Sequence, residues 1–177
     1  HDFPSSLDEL FARTDGVLGV PDELALNRTL LSYYRPFASE RLIADCIQMM
    51  RGKSVSHLKY RLGLLTSRFR ANHPLKACSA CMEQDRHDAG WAYWHLEHQY
   101  PGVWFCEPHG EPLYESTVKS TGVNRFQWSL PNRCNLTRDW VEGVTDASAL
   151  KKLSSMTLNL FRRNRSPGWL DGAHVVP

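Results

Sequence analysis

Apolar residues recur along this chain with the three-to-four-residue period of a helix face, broken by glycine, proline and polar stretches. The pattern is clearest after Ser39. Leu42, Ile43, Cys46, Ile47 and Met50 fall on one side of a helix that Ser39 opens and Gly52 terminates. Cys46 lies on that stripe and reads as a small buried hydrophobe. Earlier, Leu7, Leu10 and Phe11 form a narrower stripe. Ser5 or Ser6 can cap it, Glu9 stands in capping-box relation to Ser6, and Gly16 closes it. Pro21-Asp22-Glu23-Leu24 opens another helix, expected to stop before Pro36 because proline disfavours helical geometry at Arg35. Leu58, Leu62 and Leu65 predict a helix from Ser54 to Phe69. Its other side carries Lys59, Arg61, Arg68 and Arg70, either a solvated face or one turned to phosphates. Residues 115–144 mix Ser, Thr, Gly, Asn and Pro and read as loop with short elements. Thr145 or Asp146 then caps a last helix, with Leu150, Leu153, Met156, Leu160 and Phe161 on one face. Lys151, Lys152, Arg162, Arg163 and Arg165 make its ends basic.

Composition narrows the class. Hydrophobic residues make up 42% of the 177, enough for a packed core. Net charge is only +2 and the sequence pI about 8.3, so any nucleic-acid surface must come from local clustering. No apolar run is long enough to span a membrane, and no signal-peptide pattern opens the chain. The five cysteines are an odd number, which fits reduced, metal-binding thiols better than a disulfide framework and predicts a cytoplasmic protein. Tyr33, Tyr34 and Phe37 read as core packing or, alternatively, as rings for base stacking.

The candidate chemistry lies between Cys78 and Leu113. Cys78 and Cys81 form a C-x-x-C knuckle, and Cys106 and His109 a C-x-x-H knuckle. Two residues between ligands let a tight turn aim both side chains at one ion. Two such knuckles supply three thiolates and one imidazole, the closed tetrahedral set of a structural zinc. Trp91, Tyr93, Trp94, Trp104 and Phe105 can provide its apolar shell. His95 and His98 superficially suggest a hydrolytic zinc site. They stand three apart with Glu97 before the second, whereas helical catalytic pairs are four apart with Glu beside the first. Packing or hydrogen bonding near the metal suits them better, with a further metal contact as the alternative. Cys134 has no partner at ligand spacing and reads as a free thiol. The expected architecture is mainly α, with small helical subdomains around a zinc-ribbon-like module: a helical part over 1–74, the zinc module over 75–115, and a loop-rich segment ending in an amphipathic helix over 116–177.

The same block resembles a known family. Asp85, Gly90, Tyr93, Trp94, His95, His98, Gln99, Pro101, Gly102, Val103, Cys106, His109, Gly110, Pro112 and Leu113 are ordered and spaced like the signature of the TniQ/TnsD family of bacterial transposon target-site selectors. Upstream, Thr29-Leu30-Leu31-Ser32-Tyr33-Tyr34-Arg35-Pro36-Phe37 is similar to a family segment, with Arg28 where His is usual, and Tyr60-Arg61-Leu62-Gly63 fits the run before the first knuckle. The resemblance covers roughly residues 5–115. Beyond it, Leu160 to Arg165 with Trp169-Leu170 matches only loosely, because Asn164-Arg165 replaces Asp-Arg and Ser-Pro-Gly intervenes. Members usually carry a further segment before the stretch that corresponds to Pro4-Ser5-Ser6-Leu7, so the resemblance implies a piece of a longer protein.

The resemblance implies a non-enzymatic bacterial protein that recognises target DNA, directly or through an RNA-guided complex, and recruits the transposon's AAA+ ATPase. On that reading Cys78, Cys81, Cys106 and His109 hold one zinc. Arg162, Arg163 and Arg165 are candidate nucleic-acid contacts, and Tyr100 or Trp104, flanking the Pro101-Gly102 turn, a candidate partner contact. Two rival classes are a zinc-stabilised protein–protein module that touches no nucleic acid, and a zinc hydrolase using His95, Glu97 or His98.

Overall fold

The computed structural model describes residues 3–65, 74–118 and 129–164, with side chains through Arg162. The chain is mainly helical, with one small sheet among the described residues, and divides into two compact units: His1–Ala71 with Phe161–Pro177, and Asn72–Leu160. Among the described residues, no helix is long and apolar enough to cross a membrane.

The first unit is built on the helix the sequence marks most strongly. This is α4 (Glu40–Arg51), counting α1 (Leu7–Arg13), α2 (Pro21–Asn27) and α3 (Leu31–Tyr34) before it. The Ser39 side chain accepts the Leu42 N–H, satisfying one amide that the first turn leaves without a partner, and Gly52 follows the last turn. Ile43, Cys46, Ile47 and Met50 are buried against Phe3, Leu7, Ala25, Leu31 and Leu58. Cys46 is fully buried and its thiol pKa is raised, by burial first. It serves as a hydrophobe. Tyr33 lies 4.5 Å from the Phe161 ring and edge-on to Tyr34 at 5.1 Å, so these tyrosines form an aromatic cluster, while Phe37 is 67% exposed.

Around α1, α2 and α5 (Leu58–Arg61) the helix ends are fixed by contacts that the apolar pattern does not show. Ser6 precedes α1 but has φ 61°, and its side chain makes no cap; the start is fixed instead by its N–H donating to the Gly52 carbonyl at 2.7 Å. Gly16, at φ 72°, makes the turn after α1, where a Cβ would stand 2.8 Å from the Phe11 ring. The second helix ends at Asn27, well short of Pro36. The Thr29 hydroxyl donates to the Ala25 carbonyl at 2.6 Å and accepts the Leu31 N–H, diverting the backbone into α3 and a 3-10 turn at Arg35–Phe37. Among the described residues the helix expected over Ser54 to Phe69 is α5, followed by Gly63 at φ 70°, and residues 66–69 of it lie outside them. Arg61 pairs with Asp45 at 2.9 Å. Arg68 and Arg70 lie outside the described residues.

In the second unit a three-stranded antiparallel sheet runs β1 (Lys76–Ala77), β2 (Tyr114–Ser116), β3 (Leu136–Thr137), pairing Ala77 with Tyr114 and Ser116 with Leu136. The first strand leads into α6 (Ser79–Ala89), which ends at Gly90 with φ 84°. The last helix, α7 (Ala147–Asn164), begins where the Asp146 carboxylate accepts the Ala149 N–H at 2.9 Å. Its buried row is Ser154, Leu158 and Phe161, whereas Leu153, Met156 and Leu160 of the expected face are 45%, 61% and 37% exposed. The helix carries two apolar rows, and the inward one buries Leu158 and Phe161 with the hydrogen-bonded Ser154 beside them.

Candidate metal centre

The two knuckles are held by different local structures. Cys78 stands between β1 and α6, with Cys81 one turn into that helix, so the first pair sits at a helix N-terminus, where partial positive charge favours thiolate. The second pair lies in a tight hairpin. Phe105 bridges Pro112, Cys106 N–H donates to Glu111 O at 2.8 Å, and Gly110 N–H donates to Cys106 O at 2.7 Å. Gly110 takes φ 64°, which suits a residue without Cβ.

The four ligand atoms converge within 4.8 Å of one another. Cys81 Sγ lies 3.6 Å from Cys106 Sγ, and His109 Nδ1 lies 3.6, 3.4 and 3.4 Å from Cys78, Cys81 and Cys106. Tetrahedral zinc bonds imply sulfur pairs about 3.8 Å apart and sulfur–nitrogen pairs at about 3.5 Å. The observed spacings fit that set and are far too long for a disulfide. Hydrogen bonds from Cys106 and then Cys81 hold the Cys78 thiol well below the ordinary range. Cys81 is pushed far up and Cys106 up to about 11, because their protons are the ones donated. Ionising all three thiols in this space would need a cation between them, and the four ligand atoms stand where they could hold a metal ion.

Around the cluster, Glu111 accepts from the Ser79 hydroxyl at 3.0 Å and lies 3.7 Å from the Arg138 guanidinium, which stacks 3.7 Å over the Tyr114 ring. Lys76 N–H donates to the Gln99 side-chain oxygen, and Gln99 Nε2 donates back to the Lys76 carbonyl, both at 2.8 Å. The buried Lys76 ammonium donates to the carbonyls of Tyr100 and Val103 and lies 5.0 Å from the Trp104 ring centre. Its pKa falls to about 8, mainly through burial. Ser154 of α7 does similar work from the other side. Its Oγ accepts the N–H of Trp104 at 2.9 Å and of Phe105 at 3.2 Å while donating to Leu150 O at 2.8 Å. The loop entering the second knuckle is thus clamped to a strand and a helix. Sequence reasoning missed Lys76, Gln99's clamp, Glu111, Arg138 and Ser154. Only the Gln99-to-Gly102 run gave a signal.

The chain is similar to a transposition protein. It is 24% identical over 108 residues to the transposon Tn7 transposition protein TnsD of Escherichia coli. The match takes in 61% of this chain and 21% of that protein, so the chain spans about a fifth of that relative's length. No family model matches the chain. The likeness supports a distant TnsD-like relation.

Neither His95 nor His98 joins the cluster. Asp85, buried on α6, accepts from His95 Nε2 at 3.0 Å, and His95 stacks on Tyr93 at 4.6 Å. His98 is 6% exposed and its Nδ1 has no hydrogen-bond partner. Burial first, then the neighbouring His95, lowers its pKa to about 4. The folded state therefore binds fewer protons than the unfolded chain between about pH 4 and 6.5, and stability falls as pH drops through that window. From pH 7 to pH 5 the loss assignable to His98 is about 2 kcal/mol. Between these pH values the change in unfolding free energy, read from urea titrations, will differ between wild type and His98→Phe by that amount. Equal changes would remove His98 from the acid response.

Of the flanking rings, Tyr100 is 1% exposed, and Trp104, half-buried, packs 5.0 Å from Trp140. Trp94 Nε1 donates to Ser129 O at 2.8 Å, while Trp91 is 61% exposed. Cys134 is exposed and outside the cluster. Arg162 is exposed on α7, while the Arg163 side chain and Arg165 lie outside the described residues.

Proposed function

We propose that this chain is a non-catalytic adaptor in target-site selection for DNA transposition. One zinc on Cys78, Cys81, Cys106 and His109 holds the module; the chain engages target DNA or an RNA-guided target complex and recruits the transposon's AAA+ ATPase. The observation that carries this reading is the likeness to TnsD, joined by the ordered run from Asp85 to Leu113. The ligand set supports a structural metal. Three thiolates and an imidazole fill a tetrahedron and leave no position for the water a hydrolase needs. Zinc here supplies fixed geometry. With Tyr100 buried, the proposed ATPase contact beside the Pro101-Gly102 turn falls to Trp104.

The test is recruitment. Target DNA, with guide complex where the element encodes one, is immobilised and offered the ATPase with and without this chain. Retention only with the chain present is the expected result; equal retention without it would overturn the reading. Replacing Arg162, Arg163 and Arg165 together with Ala is expected to flatten the salt dependence of DNA binding by about two to three units, roughly 0.9 for each phosphate that is no longer neutralised. An unchanged slope would make these arginines solvated charges and favour the protein–protein alternative.

A further inference from the structure

The outward row of α7 has the form of a helix-docking seam. Ala149, Leu153, Met156 and Leu160 stand four, three and four residues apart, the spacing of alternating d and a positions in a paired helix. Ala149 is exposed, and the three larger side chains are 45%, 61% and 37% exposed. On the helix wheel the row lies opposite the buried Ser154 and Leu158, with Leu153 at its edge beside Gly102, so the helix carries an outward apolar row as well as an inward one. The row is about 16 Å long at 1.5 Å per residue, three turns of a straight apolar ridge. An isolated exposed Leu needs no explanation, but a continuous ridge on one helix does.

Charge selects what covers it. Residues 147–164 include no Asp or Glu, and Lys152 stands beside the row, whereas Lys151 lies 5.3 Å from the Phe105 ring centre on the other side of the helix. Lys152 immediately precedes the a-type Leu153, the flank from which coiled-coil ion pairs form. A second copy of this helix would set like charges together, and a ridge of Leu and Met side chains offers nothing to phosphate. We propose that this row docks an amphipathic helix of a partner protein, with apolar a and d positions and acidic flanks. The inference stands on α7 alone and does not rest on the transposition reading.

The test uses the whole chain and a labelled synthetic peptide of about three heptads, with Leu at a and d and Glu at e and g. Its own flanks repel, which keeps it available for this partner. Fluorescence anisotropy is expected to show saturable binding, weaker by about tenfold or more for the analogue with Lys at e and g. Met156→Glu, at the most exposed seam position, should abolish binding while leaving melting temperature and metal content unchanged. Lys152→Glu should weaken the Glu peptide and strengthen the Lys peptide. No binding, or equal affinity for both peptides, would overturn the proposal. So would binding that appears only after residues 165–177 are removed, which would make this chain's own segment the occupant. A concentration-dependent dimer in sedimentation that Met156→Glu dissolves would assign the row to a second copy instead.

Discussion

Cys78→Ser will release the metal and melt the second unit rather than trim its activity. Cys78 Sγ lies 3.6 Å from His109 Nδ1, and its thiol is the one most readily ionised in the cluster. A structural zinc contributes on the order of 10–16 kcal/mol of binding energy in small modules, more than a typical domain's net stability. Losing one of four ligands therefore removes most of what holds the strand end, the start of α6 and the hairpin together. Elemental analysis should find zinc lost from the variant, and near-ultraviolet circular dichroism should lose the signals of Trp94, Trp104 and Trp140. The core around α4 contains none of the four ligands, so part of the helical signal should persist. Cys134→Ser, at an exposed thiol outside the cluster, should change neither readout. A Cys78→Ser protein with unchanged melting temperature and metal content would refute the assignment.

Ser154→Ala will destabilise the same unit by about 2–4 kcal/mol, because two amides lose one shared acceptor and each buried unsatisfied donor costs about 1–3 kcal/mol. Ser154 is 2% exposed and bonds the N–H groups of Trp104 and Phe105, the two residues leading into Cys106. The metal should also exchange faster with a chelator, since the hairpin's entry is no longer pinned. Ser155→Ala, next door and partly exposed, should stay within about 0.5 kcal/mol of wild type. Denaturant midpoints and zinc-release rates check both. A Ser154→Ala midpoint indistinguishable from that of Ser155→Ala would mean the backbone finds other acceptors.

The contrast between Cys78 and Ser154 shows what the sequence makes legible. Ligand spacing reports the cysteines directly, because a two-residue gap is itself the geometry that aims both thiols at one ion. The helix after Ser39 is equally plain: cap, period and terminating glycine agree, and the structure keeps all three. Ser154 and Lys76 leave no such trace, and Gln99 shows only as a member of the ordered run, without its partner. Each bonds a backbone or side-chain group 23 or more residues away, and nothing in the local pattern marks a partner that remote. On α7 the expected face is right at Phe161, which is buried, but Leu153, Met156 and Leu160 are exposed while Leu158 and the hydrogen-bonded Ser154 turn inward. Ser6 fails as a cap because its left-handed φ is set by the Gly52 carbonyl, remote in sequence. Thr29 ends α2 through a hydroxyl–carbonyl bond that competes with the helix, where the proline further on was the visible signal.

A closed set of three sulfurs and one nitrogen is proposed to hold a structural zinc. X-ray absorption at the zinc edge of the purified chain tests it most directly. The expected result is one zinc per chain with three sulfur neighbours at about 2.3 Å, one nitrogen at about 2.0 Å and no further light ligand. A folded chain without zinc, or a shell with an exchangeable oxygen or a second imidazole from His95 or His98, would contradict it.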